Sequence, residues 1–159
     1  MNSKRKSNKE DSHKIEHSCD CKSCICELLE DILEEQKCRM MDDCNCSILQ
    51  QEHHHRHTIP FLLQTPYGNP FYTWGKIGSD DCFVTVFFKV LKVDCKKNCA
   101  VLQLLKPNVS IINPDTDCVE IEDICDVDYL TLTKETVVVE LECYSAIKLI
   151  SPKIVVKNY

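Results

Sequence analysis

The segment that decides the fold is CFVTVFFKVLKV, residues 82–93. Its side chains are apolar on both of the faces that alternate along an extended chain, which is typical of a central strand covered on both sides. A polar loop, residues 94–99, follows it, and the apolar run from Ala100 to Leu105 returns as a partner strand. The pattern predicts an antiparallel pair at the middle of a sheet.

Further strand signals lie on both sides of this pair. Residues 136–143 alternate, which places Val137, Val139, Leu141 and Cys143 on one apolar face. No alternation of strands with helices is visible, so an antiparallel arrangement is favoured. The sequence therefore predicts a mainly β protein, an antiparallel β-sandwich of roughly eight strands. The remaining strand signals are residues 59–63, 71–74, 118–121, 129–133 and 154–156.

Before these strands, residues 24–41 predict one amphipathic helix. Its apolar stripe is Leu28, Leu29, Ile32 and Leu33, and acidic side chains fill most of the other positions. A stripe this narrow fits packing against its own domain as well as pairing with another copy of the chain. We take these four residues as the candidate assembly helix.

The composition changes along the chain and divides it into three parts. Residues 1–23 are polar with almost nothing to bury, which predicts a disordered tail. Residues 24–57 hold the cysteine-rich helix and a linker that contains the histidine run of residues 53–57, a solvated spacer or a binder of divalent metal. Residues 58–159 form the β domain.

Thirteen cysteines in 159 residues are the chemical signature of the chain. The number is odd, so complete pairing within the chain would still leave one thiol. Residues 19–26 form a C-x-C-x2-C-x-C cluster, and residues 44–46 repeat the C-x-C. The candidates for disulfide cross-links are Cys19, Cys21, Cys24, Cys26, Cys38, Cys44, Cys46, Cys82, Cys95, Cys99, Cys118 and Cys125.

Individual cysteines have different expected roles. Cys82 and Cys118, at strand starts, are well placed to reach a neighbouring molecule. Cys95 and Cys99 flank a hairpin-like turn, where they pair with each other or serve as small buried hydrophobes. Cys143 lies on the apolar face of its strand and is expected in the core.

Charge and composition exclude several classes of function. With 25 acidic and 19 basic residues the formal charge is −6, which argues against a nucleic-acid partner. The polar N-terminal segment has no apolar core for a signal peptide, and no run approaches the length of a membrane span. We therefore expect synthesis in a cytosol, where thiols normally stay reduced. Either a metal holds the thiols, or the surroundings become oxidising later.

An enzyme is not expected. Three glycines leave no phosphate-cradling loop, and no Gly-x-Ser-x-Gly elbow is present. All six histidines precede residue 58, outside the predicted folded domain. A cysteine–histidine pair would then depend on a flexible segment, which cannot hold catalytic geometry.

Four stretches resemble the spore coat protein Y and Z family, which includes outer-coat, crust and exosporium basal-layer proteins of Bacillus-type spores. The aromatic strand, the cysteine-alanine strand and the closing strand follow in the order typical of that family. One departure is present: where the family tends to have three cysteines after the closing strand begins, this chain keeps only Cys143. The four stretches are residues 58–62, 82–90, 99–105 and 139–147.

This resemblance implies a structural protein that self-assembles into ordered two-dimensional lattices stabilised by disulfides between subunits. It implies synthesis in the mother-cell cytoplasm and a final place at the spore surface, in outer coat, crust or exosporium. The implied partners are other copies of the chain and other cysteine-rich coat or exosporium proteins, with no nucleic acid, no membrane and no cofactor.

Two other functions stay open on the residues alone. A cytosolic metal-thiolate protein would hold zinc with Cys19, Cys21, Cys24 and Cys26, since four thiolates complete a tetrahedral shell. The other open function is that of a small redox adaptor. The C-x-C spacing is less usual in structural zinc sites than C-x2-C, so no metal site is our primary expectation.

Overall fold

The computed structural model describes residues 23–42 and 57–158. The first element is a helix, α1, Cys24–Asp42, which confirms the helix predicted from the apolar stripe. Except for Ser23 and His57, the predicted tail and the histidine run lie outside the described residues.

Eight strands and a second, short helix follow α1. Strands β1 to β7 pair antiparallel, and β8 pairs parallel with β6. Six strands form one sheet in the order β7-β1-β4-β5-β6-β8, and β2 and β3 form a separate hairpin. The mainly β fold class with one main helix is confirmed. The bounds are β1 Phe61–Gln64, β2 Thr73–Ile77, β3 Asp81–Thr85, β4 Phe88–Asp94, β5 Cys99–Pro107, α2 Ile121–Cys125, β6 Leu130–Glu140, β7 Ala146–Leu149 and β8 Val155–Asn158.

The prediction of one central strand over residues 82–93 is wrong. The chain leaves the hairpin at Thr85 and enters the large sheet at Phe88. At the crossing, the Thr85 hydroxyl donates to Leu105 O at 2.6 Å and accepts from Phe87 N at 3.0 Å. Val86 and Phe87, which link the two sheets, are buried, so the segment is apolar throughout without being a single strand.

Two smaller strand predictions also need correction. The strands predicted over residues 129–133 and 136–143 are parts of one long strand, β6, which runs from Leu130 to Glu140 and whose pairing with β5 is interrupted between Gln103 and Leu105. Residues 118–121 are not a strand: Val119 makes a single bridge to Ile112, and α2 begins at Ile121.

The first hydrophobic core lies between α1, the hairpin and one face of the large sheet. Leu29 is fully buried and Ile32 is 4% exposed, in the same cluster as Phe61, Phe88 and Leu102. Leu28 and Leu33 pack against that cluster from its margin. The hypothesis that this stripe forms an assembly helix is therefore corrected: the stripe is already covered by the chain's own sheet.

A buried glutamine completes the attachment of α1. The Gln36 amide donates from Nε2 to Val90 O at 3.1 Å and accepts from Ile59 N at Oε1 at 3.0 Å. Gln36 is only 3% exposed. Both backbone groups are thus satisfied by one side chain, which fixes α1 against β4 and against the segment that leads into β1.

A second core covers the opposite face of the large sheet. Leu62, Phe87, Leu105 and Leu130 pack there beneath the long connection between β5 and β6. Ile111 and Val127 of that connection are buried, whereas α2, which is part of the same connection, has no buried residue. The connection therefore closes the core, and α2 lies at its surface, where only the half-buried Ile124 packs against the core.

Candidate functional site

The described residues contain one disulfide, between Cys26 and Cys95. Their Cα atoms are 5.8 Å apart and the residues are separated by 69 positions in sequence. Cys26 is on the buried face of α1 and is 1% exposed. Cys95 therefore pairs with the helix and not with Cys99, and this bond holds α1 to the turn between β4 and β5.

Seven further cysteines are free in the described part of the chain. Cys99 is half-buried and the other six are exposed. None of these seven residues belongs to either hydrophobic core. The four other cysteines, Cys19, Cys21, Cys44 and Cys46, lie outside the described residues. The six exposed thiols belong to Cys24, Cys38, Cys82, Cys118, Cys125 and Cys143.

Cys143 is exposed, and its expected place in the core is wrong. Strand β6 ends at Glu140, and Leu141–Cys143 form a single 3-10 turn. Leu141 N bonds to Asn98 O at 2.8 Å, and Leu141 is buried. The turn breaks the alternation that the sequence suggested, so the next apolar position, Cys143, emerges beside the exposed Tyr67 and Tyr72.

Tyr144, next to Cys143, is set into the edge of the first core. Its ring lies 5.4 Å from that of Phe71, which stacks on Phe88 at the same distance. Burial raises the pKa of Tyr144 to about 12, and the neighbouring Cys143 adds to this shift. The phenol is therefore neutral at any physiological pH and acts here as a packing residue.

A groove beside the β2–β3 hairpin contains another free thiol. Trp74 pairs with Val84, and Lys76 with Cys82, across the β2–β3 hairpin, so all four share its outer face. Residues of the chain after β5, among them Val109 and Ile112, form the opposite wall of a groove of about 620 Å³. We call this surface, lined by Trp74, Cys82, Val84, Val109 and Ile112, the Trp74 groove.

The outward position of Trp74 follows from its neighbour Gly75. A Cβ at Gly75 would lie 2.5 Å from the Phe83 ring, so the ring packs directly over the glycine. That close contact commits the inner face of the hairpin to Phe83 and turns Trp74 to the outside, where it is 69% exposed. The Trp-Gly sequence is the signal that would have indicated this groove.

The thiolate set proposed as an alternative zinc site is incomplete in this structure. The sulfur of Cys26 is bonded to Cys95, which removes one of its four ligands. Within residues 23–42 and 57–158, no group of three or more His, Cys, Asp or Glu side chains is arranged to hold a metal ion. The same part of the chain has no helix that is long and apolar enough to cross a membrane.

Comparison with known proteins gives one consistent result. Residues 11–152 match the family model for spore coat protein Z. The chain is 30% identical over 149 residues to spore coat protein Z of Bacillus subtilis (strain 168), an alignment that covers 86% of this chain and 95% of the relative. No solved structure gives a significant match.

Proposed function

Because the chain belongs to the spore coat protein Z family, it is a structural protein of the spore coat, and we propose that it acts by assembling with copies of itself into ordered lattices. Disulfides between subunits then lock contacts that form without them. The role is structural and not catalytic. The partners are other copies of the chain and other coat proteins of the outer coat, crust or exosporium.

The observation that carries this proposal is the separation of the cysteines into two classes. One pair, Cys26 and Cys95, joins α1 to the sheet within a chain, and six other thiols are exposed among the residues that the structure describes. A domain with its own core does not need exposed thiols in order to fold. Thiols in this position are available to neighbouring molecules.

Several weak contacts can hold a lattice before any covalent bond forms. An interface smaller than that of a stable dimer still contributes when each subunit makes several at once. Thiols stay reduced in the mother-cell cytoplasm, so assembly there is reversible and errors can be corrected. Oxidation at the end of sporulation would convert this equilibrium into a cross-linked layer that resists dilution.

Electron microscopy of the purified full-length protein, with and without reductant, tests this order of events. We expect ordered sheets in both conditions, and we expect a denaturant to dissolve only the reduced sheets. Gels run with and without reductant should show disulfide ladders, and a zinc assay on the same sample should find no stoichiometric metal. A reduced protein that stays monomeric at high concentration would mean that cross-linking drives assembly.

Two cysteine variants separate the two classes of thiol. Replacing the six exposed cysteines by serine should leave the fold and the reduced sheets intact and remove much of the covalent ladder. The matched control replaces Cys26 and Cys95 by alanine and should lower the stability of the domain while the ladder persists. The opposite pattern would contradict the proposed division.

A further inference from the structure

The short helix α2 presents an apolar residue that its own chain leaves uncovered. Ile121 is 72% exposed, and no residue of α2 is buried. Its position is fixed by the turn before it: the Asn113 side chain accepts from Asp115 N at 2.9 Å, and the Thr116 hydroxyl donates to Glu120 at 2.7 Å. A single exposed apolar side chain is ordinary on a protein surface, so its meaning depends on what lies beside it.

This helix lies beside the Trp74 groove. Ile112 forms one wall of the groove and pairs with Val119, two residues before Ile121. Cys118, an exposed thiol, precedes that pair, and Cys82, the other exposed thiol of this region, lies inside the groove. The Trp74 groove and the exposed residues Cys118, Ile121 and Glu122, which we call the α2 ridge, therefore lie side by side on one surface, each with a thiol.

The charged side chains beside the groove and on the ridge differ in sign. The ridge carries Glu122 at its surface, in a connection rich in acidic residues. Lys76 is exposed on the outer face of the hairpin beside the groove; its side chain makes no ion pair with any residue that the structure describes, and its backbone N–H donates to the Glu135 carboxylate at 3.2 Å. A groove and an exposed apolar residue that lie on one surface, with side chains of opposite charge beside them, allow a two-fold contact, in which each molecule gives and receives the same surface.

We propose that the Trp74 groove binds the α2 ridge of a second copy of this chain, so that Ile121 of each molecule enters the groove of the other and Cys118 lies beside Cys82 across the contact. This inference rests on the proposed self-assembly and names one interface for it. The contact is symmetric, with Glu122 of each molecule close to Lys76 of the other.

The apolar area suits a contact that is weak until it is oxidised. A tryptophan buries roughly 150–250 Å² when covered completely. Trp74, with Ile121 and Val109, therefore supplies a few hundred Å² per molecule, below the roughly 800 Å² per partner of a standard stable interface. The non-covalent dimer should form at high concentration and dissociate on dilution.

Oxidation would cross-link this contact with two disulfides, one in each half of the symmetric dimer. Each Cys82 thiol and the Cys118 thiol that faces it lose two protons and two electrons together as one S–S bond forms. Molecular oxygen takes the electrons and gives hydrogen peroxide, or a small-molecule disulfide takes them and gives two thiols. The pairing of Cys82 with Cys118 of the other molecule distinguishes this contact from random cross-linking.

Trp74 is the only tryptophan of the chain, so its emission reports the contact without any disulfide. In reductant, we expect the emission of the full-length protein to shift to the blue as concentration rises. Ile121→Asp should abolish the shift, and Leu149→Asp, at another exposed apolar residue, should not. Circular dichroism checks that both variants fold. A shift that survives Ile121→Asp would overturn the proposal.

A charge exchange tests the same contact without removing an apolar group. Lys76→Glu and Glu122→Lys should each weaken self-association about tenfold by sedimentation, because each brings like charges together. The double variant should recover most of the loss. Single variants without effect, or a double variant as weak as the singles, would contradict the two-fold arrangement.

Disulfide mapping identifies the covalent product. Equal amounts of ordinary and nitrogen-15 protein are mixed in reductant, then oxidised and digested. We expect peptides that join Cys82 to Cys118 with mixed labels, reduced to background by Cys118→Ser and unaffected by Cys125→Ser. If no Cys82–Cys118 peptide carries mixed labels, the bond forms within a chain and the inference is overturned. Ordered sheets formed by Ile121→Asp would refute this contact and leave the proposed assembly standing.

Discussion

The two helices present the same residue types in opposite settings. Helix α1 places Ile25, Cys26 and Leu29 in the first core and uses its cysteine in an internal disulfide. Helix α2 exposes Ile121, and Cys125 at its end is a free, exposed thiol. The difference teaches that a cysteine beside an isoleucine does not indicate a cross-linking surface. The exposure of such a face depends on whether the sheet of the same chain packs against it.

The largest expected effect comes from removing α1. A fragment that begins near Ser47 looks self-sufficient in sequence because every strand signal follows it. Without α1, however, Phe61, Phe88 and Leu102 would be open to water on one face of the sheet. We expect an insoluble or largely unfolded fragment, whereas a chain that begins near Lys22 should be soluble and rich in β-structure by circular dichroism.

Comparison of the two fragments also tests where the folded unit begins. We propose that it begins at about Cys24, although the composition changes near Thr58. A soluble fragment from Ser47 with native β-structure would show that α1 is dispensable and would return its stripe to the candidate assembly surfaces.

Local patterns predicted α1 because its information is contained in a few turns. The spacing of Leu28, Leu29 and Ile32 is sufficient for a helix, and its bounds agree with the structure to one residue at each end. The partner of that stripe was not predictable in the same way. Gln36 bonds to groups 23 and 54 residues away, and Cys26 to one 69 residues away, and no local period encodes such contacts.

The prediction of one strand over residues 82–93 missed the chain crossing at Val86 and Phe87 for a related reason. A buried link between two sheets and a central strand both give an uninterrupted apolar run. The distinguishing group is the Thr85 hydroxyl, which bonds to Leu105 O. A threonine inside an apolar run is also frequent in strands, so the sequence alone favoured the simpler element.

Loss of the Cys26–Cys95 bond should have the next largest effect. For a loop of about 70 residues, a chain-entropy model gives a stabilisation of roughly 4 kcal/mol. Urea unfolding in oxidising and reducing buffer should show a difference approaching this value for the wild-type protein and none for Cys95→Ala. Cys38→Ala removes an exposed thiol of the same helix and should keep the difference. Equal stability of the wild-type protein in both buffers would contradict the clamp.

Gln36→Ala should lower the free energy of unfolding somewhat less than loss of the disulfide does. It leaves Val90 O and Ile59 N buried without their partner, at roughly 1–3 kcal/mol for an unsatisfied buried group. We expect a loss of about 2 kcal/mol in the free energy of unfolding, because some relaxation toward water is available at the edge of α1. Glu34→Ala, at an exposed position of the same helix, should change it little. A loss for Gln36→Ala as small as that of the control would mean that the two bonds are not formed.

The smallest effect is expected at α2, where the comparison between the helices becomes sharpest. Ile121→Ser removes an isoleucine, as Ile32→Ser would in α1, but Ile121 is 72% exposed and Ile32 is 4% exposed. Hydrophobic stabilisation scales with the area removed from water, so Ile32→Ser should cost several times more. We expect Ile121→Ser to shift the free energy of unfolding of dilute, reduced protein by less than about 0.5 kcal/mol, as is usual for surface positions.

At high concentration the same substitution should weaken self-association, because Ile121 then acts on a second molecule. A large loss of stability in the dilute protein would show that α2 belongs to the core after all, and that the difference between the two helices is only one of degree.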